Sequence, residues 1–200
     1  MKRISLMASF FSFIVGLFSL SASATAYQVA EAYSGLRSMA LRTNPDSIGI
    51  KIKESSEVWG VLMETGYPEA VASLVALADG TVSLYFSNGG GIIGLGPHVG
   101  PRRAAQSFLA SSQQFAKQVL PTKSYPLPKT SYTRFYLLTG NGVLTAEIKE
   151  DDLGNNRHPL SPLFYKGQEL ISEIRVVDQQ RQAEQGASEG RSAGKPASRP

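Results

Sequence analysis

The chain has 200 residues, 20 basic and 16 acidic side chains and no cysteine. That is a one-domain length, and an apolar fraction of 42% is enough for a core that needs no covalent staples. The missing thiols exclude disulfides, thiolate metal sites and a cysteine nucleophile.

Residues 1–26 read in three parts. Lys2 and Arg3 make a basic start, residues 4–20 carry no charge and are rich in Phe, Ile, Val and Leu, and 21–26 (SASATA) are small. This is the grammar of a cleavable export signal, with the cut expected between Ala26 and Tyr27 and a nearly equivalent one after Ala24. The alternative is an uncleaved N-terminal membrane anchor. The apolar run is short for a spanning helix, which needs about 20 strongly apolar residues, and Ser5, Ser9, Ser12, Gly16 and Ser19 interrupt it. No second apolar span follows, so no stable membrane span is expected after cleavage. An exported, periplasmic or secreted protein is therefore the expectation.

Residues 178–200 are polar and small throughout, with no aromatic residue. Such a segment cannot bury enough surface to offset its ordering entropy and reads as a disordered tail. Setting aside the leader and this tail leaves 14 basic and 13 acidic residues in a single domain, 27–177. A net charge of +1 is no electrostatic footprint for nucleic acid.

Within that domain a first helix is expected over 29–41, ended by Asn44-Pro45-Asp46. Residues 58–65 (VWGVLMET) read as a strand. Residues 72–78 and 81–87 flank Asp79-Gly80, the pattern of a hairpin with a type I′ turn. A glycine-rich loop runs over 88–100. A long helix follows from Pro101, with Ala104, Ala105, Phe108, Leu109, Ser112, Phe115, Ala116 and Val119 on one stripe, and Pro121 stops it. Residues 121–130 form a Pro-rich connector. A second hairpin is expected over 133–139 and 143–149 around Gly140-Asn141-Gly142. An acidic, turn-rich loop (150–156) and an irregular stretch (157–166) lead to a last helix over 168–177. The fold class is α+β: an antiparallel sheet of about five strands with the long central helix packed on one face, in the order α-β-β-β-α-β-β-α.

Five groups of residues invite a chemical reading. Gly89, Gly90, Gly91 and Gly94 match G-x-G-x-x-G, but a hairpin strand precedes them and no acidic residue lies about 20 positions on. The dinucleotide fingerprint fails, and no P-loop lysine is present. The loop still offers open backbone N–H groups leading to a helix, with His98, Arg102 and Arg103 beside it. These residues would suit an anionic small ligand or an acidic side chain of a partner; the plainer reading is a chain crossing with solvated arginines. The histidines, His98 and His158, lack metal-ligand spacing, and Asp151 and Asp152 near His158 read as a solvated turn. Ser161 lies three residues from His158 without a nucleophile-elbow sequence, and reads as a turn residue before Pro162. Glu64, Glu69 and Asp79 are carboxylates with no pairing visible in sequence. Trp59, Tyr85, Tyr132 and Tyr136 form either an aromatic surface or cross-strand core pairs. No cofactor is expected.

The blocks SLVALADGTVSLYFSNGGGIIG (73–94), RFYLLTGNGVLTAE (134–147) and HPLSPLFYKGQELISEIR (158–175) resemble a bacterial family of uncharacterised proteins with no assigned activity. The resemblance spans roughly Ser34 to Arg175. It implies that the three blocks form one domain and transfers no residue role. The element order also resembles profilin-like and roadblock-like interaction domains, but with the strand counts before and after the central helix reversed. The functional expectation is a non-enzymatic binding or interaction domain using Gly89–Arg103. The alternatives are a small hydrolase or anion-processing enzyme using a histidine near that loop, and an envelope structural component.

Overall fold

The computed structural model describes residues 27–193. The expected leader, and Ala26 with it, lie outside the described residues. The protein is α+β, as its alternating hairpin and helix patterns imply. The sheet has seven strands rather than five, all antiparallel, in the order β4-β3-β2-β1-β6-β7-β5. The chain enters through α1 (Glu31–Arg42) and continues with β1 (Val58–Gly66), β2 (Val71–Leu77), β3 (Val82–Phe86) and β4 (Gly91–Ile92). Then come α2 (Val99–Phe115), β5 (Leu120–Thr122), β6 (Tyr132–Thr139), β7 (Gly142–Lys149), α3 (Glu150–Gly154) and α4 (Ser161–Ala193). The two additional strands are the edges, β4 and β5. At two and three residues they are too short to show alternation in sequence.

β1 is the hub of the sheet. It pairs with β2 on one side and β6 on the other, and all nine of its residues are buried. That explains its near-continuous apolar sequence: both faces of the sheet are covered. Val61 and Met63 point into a core under α2 and α4, with Leu74, Leu84, Phe108, Phe135, Leu163, Leu170 and Ile174. Leu62 and Trp59 point into a second core under α1, with Tyr33, Leu41, Val75, Tyr85, Tyr136 and Leu138. One helix on one face was expected; the structure is a three-layer α/β/α arrangement. Trp59, Tyr85 and Tyr136 are thus core residues, not an aromatic surface.

The Asp79-Gly80 hairpin is present, but its turn is not type I′. Gly80 has φ +92° whereas Asp79 does not take positive φ. The Gly80 N–H donates to the Leu77 carbonyl at 3.1 Å and the Leu77 N–H to the Thr81 carbonyl at 3.0 Å. This is a three-residue loop in which one glycine carries the left-handed conformation. The Asp79 carboxylate closes it, accepting from Thr81 N (2.8 Å) and Thr81 Oγ1 (3.0 Å).

α2 begins at Val99, two residues ahead of Pro101, which the first turn tolerates because its N–H groups have no intrahelical acceptor. The acidic run Glu150-Asp151-Asp152, expected as a loop, forms the first turn of α3, where negative charge suits the helix dipole. α4 starts at Ser161, seven residues earlier than the apolar stripe indicates, because Leu163 and Phe164 already face the core. It also extends past Val177 into the polar segment. Packing does stop there: among the described residues Val177 is the last one in the core. The backbone nevertheless stays helical to Ala193, because Gln, Arg, Ala and Glu propagate an existing helix at little cost. Among the described residues no helix is long and apolar enough to cross a membrane.

Candidate functional site

The sheet splits the glycine-rich segment. Gly89, Gly90 and Gly91, with φ of +107°, +83° and +151°, form the tight return from β3 to β4. There the Gly89 N–H donates to the Phe86 carbonyl (3.0 Å) and the Phe86 N–H to the Gly90 carbonyl (3.2 Å). β4 then runs back along β3, so Gly94 emerges towards the opposite end, at most roughly 10 Å from Gly91 for three residue steps. There Leu95 is buried and its N–H donates to the Val82 carbonyl at 3.2 Å. Gly96 lies against the hairpin tip: a Cβ on it would sit 2.1 Å from the Gly80 carbonyl oxygen. Gly89–Gly91 are therefore a turn, while Gly94, Gly96 and Arg102 come together around the β2–β3 tip.

Two adjoining depressions mark that place. One, of about 450 Å³, is lined by Asp79, Gly80, Thr81, Val82, Gly94, Gly96, Pro97 and Arg102. The second, of about 220 Å³, continues past Arg102 to Ala105 and Leu109 on α2. Arg102 and Arg103 are exposed, and among the described residues neither forms an ion pair.

His98 and the end of α2 belong to a different contact. The His98 Nε2 is 2.8 Å from Arg181 on α4. A guanidinium has no acceptor, so the ring nitrogen accepts. A Cβ on Gly100 would lie 2.1 Å from Oε2 of Glu173. The carboxylate facing the amino end of α2 is thus supplied by α4, within the chain.

His158 and Ser161 are close without being a catalytic pair. The His158 Nδ1 accepts from the Leu160 N–H at 3.1 Å, and the Ser161 N–H donates to the His158 carbonyl at 2.9 Å. The Ser161 side chain is buried, and its Oγ approaches the Asp152 carbonyl at 3.5 Å. A nucleophile needs its hydroxyl on the imidazole, and this one points elsewhere. Asp151 and Asp152 pair with Arg157 on the surface. Among the described residues no cluster of three or more His, Asp or Glu side chains is placed to hold a metal.

The most elaborate polar arrangement is one that sequence reasoning did not assemble. Arg37, on the inner face of α1, meets the fully buried Glu64 of β1 in a two-point contact: Nε to Oε1 at 2.7 Å and Nη2 to Oε2 at 2.8 Å. Arg37 Nη1 also donates to the Tyr125 carbonyl at 3.0 Å. The Ser73 hydroxyl donates to Glu64 Oε1 at 2.9 Å, which leaves its oxygen to accept from the Tyr33 hydroxyl at 2.8 Å. The Tyr136 hydroxyl donates to the Pro126 carbonyl at 2.6 Å, and its ring lies 5.7 Å from the Arg37 guanidinium carbon. Burial lowers the Arg37 pKa, and the hydrogen bonds and charge of Glu64 more than reverse this, holding it above its ordinary value. Burial and then the Glu64 charge push Tyr136 up to about 12 and raise Tyr33 further. The network ties α1 and the Pro-rich connector to the middle of the sheet, and its residues line neither depression at the β2–β3 tip. The signal for it was one carboxylate inside an otherwise apolar central strand, which demands a buried partner.

Beside this network lies an apolar groove of about 270 Å³ between α1 and strands β2 and β3, lined among others by Leu36, Met39, Leu77, Tyr85 and Ile93. Met39 is 67% and Ile93 58% exposed. Asp79 and Thr81 line this groove as well, so the hairpin tip has depressions on both faces of the sheet. Comparison with family models, with curated proteins and with solved structures finds no match to this chain.

Proposed function

We propose that the mature chain is an exported, non-enzymatic interaction domain whose contact surface is the end of the sheet around the β2–β3 tip, Gly94–Pro97 and Arg102. The observation that carries this reading is Arg102: exposed, without an ion-pair partner among the described residues, and lining two adjoining depressions. An unpaired cation in a concave place favours an anionic group of a partner. The reading keeps the second half of the glycine-rich segment and sets Gly89–Gly91 aside as a turn. A hydrolytic reading has less to stand on. The one His98 nitrogen that the structure shows bonded accepts from Arg181, and His158 is engaged by the turn that starts α4.

The test is capture from an envelope extract with the native protein and with Arg102→Glu/Arg103→Glu. Charge reversal at the site is expected to reduce the captured partner at least about tenfold, the size of a 1.4 kcal/mol loss. Equal capture by both proteins refutes the site. The export half of the reading is checked separately, by the mass of the mature N-terminus. Tyr27 in first position supports it and an intact Met1 overturns it.

A further inference from the structure

The two edges of the sheet are protected unequally. β5, at one edge, contains Pro121 and is flanked by Lys117 and Lys123, the residues that commonly block strand addition. β4, at the other, has no such guard: from Gly80 to Pro97 the chain carries no charged residue. Pairing of β3 with β4 alternates. The Phe86–Gly90 bond and the Leu84↔Ile92 register direct the Ile92 backbone at β3 and the Ile93 amide and carbonyl away from it. Neither Ile93 group is bonded among the described residues. The Ile93 side chain opens into the apolar groove with Leu36 and Met39, while the next residue, Gly94, borders the depression that holds Arg102.

We infer that this edge takes an extended peptide segment of a partner protein, added as a strand outside β4, with apolar side chains in the α1 groove and a carboxylate on Arg102. The inference rests on the interaction-domain reading and supplies its partner chemistry. Each part of the recognition has its own source on this surface. The free amide and carbonyl of Ile93 provide backbone pairing. The groove accepts an apolar side chain on one face. Because successive side chains of a strand point to opposite faces, the neighbouring position reaches the other face, where the unpaired guanidinium selects an acidic residue or a terminal carboxylate. The shortness of β4 limits the ladder to a few bonds, so the side chains have to supply the selectivity.

The experiment is selection of a random peptide display library on the protein purified from the full chain. Fluorescence anisotropy of the enriched peptide follows, in native form and with alternate amides N-methylated. Expected is enrichment of alternating apolar residues with an acid at one end. Binding should weaken at least about tenfold on N-methylation and again with Arg102→Glu, a loss of about 1.4 kcal/mol for each. N-methylation leaves the protein untouched, so it separates lost pairing from lost folding. Peptides that bind equally well when N-methylated overturn strand addition and leave the interaction surface standing. Binding indifferent to Arg102→Glu, or no enrichment at all, overturns the carboxylate assignment and the surface with it. Concentration-dependent dimerisation abolished by Ile93→Lys overturns the peptide in favour of a second copy of this chain.

Discussion

Arg37 and Glu64 show how one buried pair joins distant segments. Each has multiple hydrogen bonds, and neither can be removed without leaving the other charged and unpaired in a dry layer. Arg37→Ala is expected to cost about 3–5 kcal/mol. The double replacement Arg37→Met/Glu64→Leu, which removes both charges and keeps volume, should recover most of that loss. Urea unfolding of the four proteins in the cycle measures the coupling; additive losses would show that the pair is not a unit. The phenols around it make a second prediction at the same scale. Tyr85 and Tyr136 are each pushed up to about 12, in both cases chiefly by burial. An unfolded phenol titrates near 10, so the folded state resists ionisation that the unfolded chain accepts. Their contribution is full below pH 10 and is lost as pH rises from about 10 to 12, on the order of 2 kcal/mol for each phenol. Denaturation midpoints measured between pH 9 and 12 should fall steeply over that window and return on re-acidification.

The elements show where local signals suffice and where they fail. Both hairpins were legible because strand formers flank glycine-containing turns: Asp79-Gly80, and Gly140-Asn141-Gly142, where Thr139 pairs with Gly142. The turn type at Asp79 was not, because loop length depends on where the ladder closes, at Leu77 and Thr81, and not on the dipeptide alone. α2 was legible from its single apolar stripe. The start of α4 was not, since Ser161-Pro162 resembles a turn until tertiary packing draws Leu163 inward. α4 also depends on a close approach: a Cβ on Gly167 would sit 2.5 Å from the Met63 sulfur and 3.4 Å from the Phe108 ring. Met63 and Phe108 are both buried, so there is little room for them to yield. Gly167→Val is expected to lose about 1–3 kcal/mol through overpacking, a value that chemical denaturation will give. An unchanged midpoint would mean that α4 can lift from β1 at no cost.

For the whole molecule, the two cores determine which parts are essential. The core under α2 and α4 ends at Val177, and beyond it α4 contributes the Arg181–His98 contact. Ending the chain after residue 177 should therefore preserve the fold and cost about 1–3 kcal/mol, the range of a part-buried hydrogen bond from a charged group. Helical ellipticity should fall while the unfolding transition stays cooperative; loss of cooperativity would show that the distal helix is part of the domain. The sequence by itself determined the α+β class, the hairpins, the central helix and the near-neutral body. Each of these follows from local periodicity, turn chemistry or composition. Only the tertiary structure decided that both sheet faces are covered, that Arg37 and Glu64 meet, and that the glycine-rich segment is two places rather than one. The first two depend on contacts between residues far apart in the chain, 27 positions for Arg37 with Glu64, a separation that no local pattern encodes; the third depends on the register with which β4 returns along β3, from Phe86–Gly90 to Val82–Leu95.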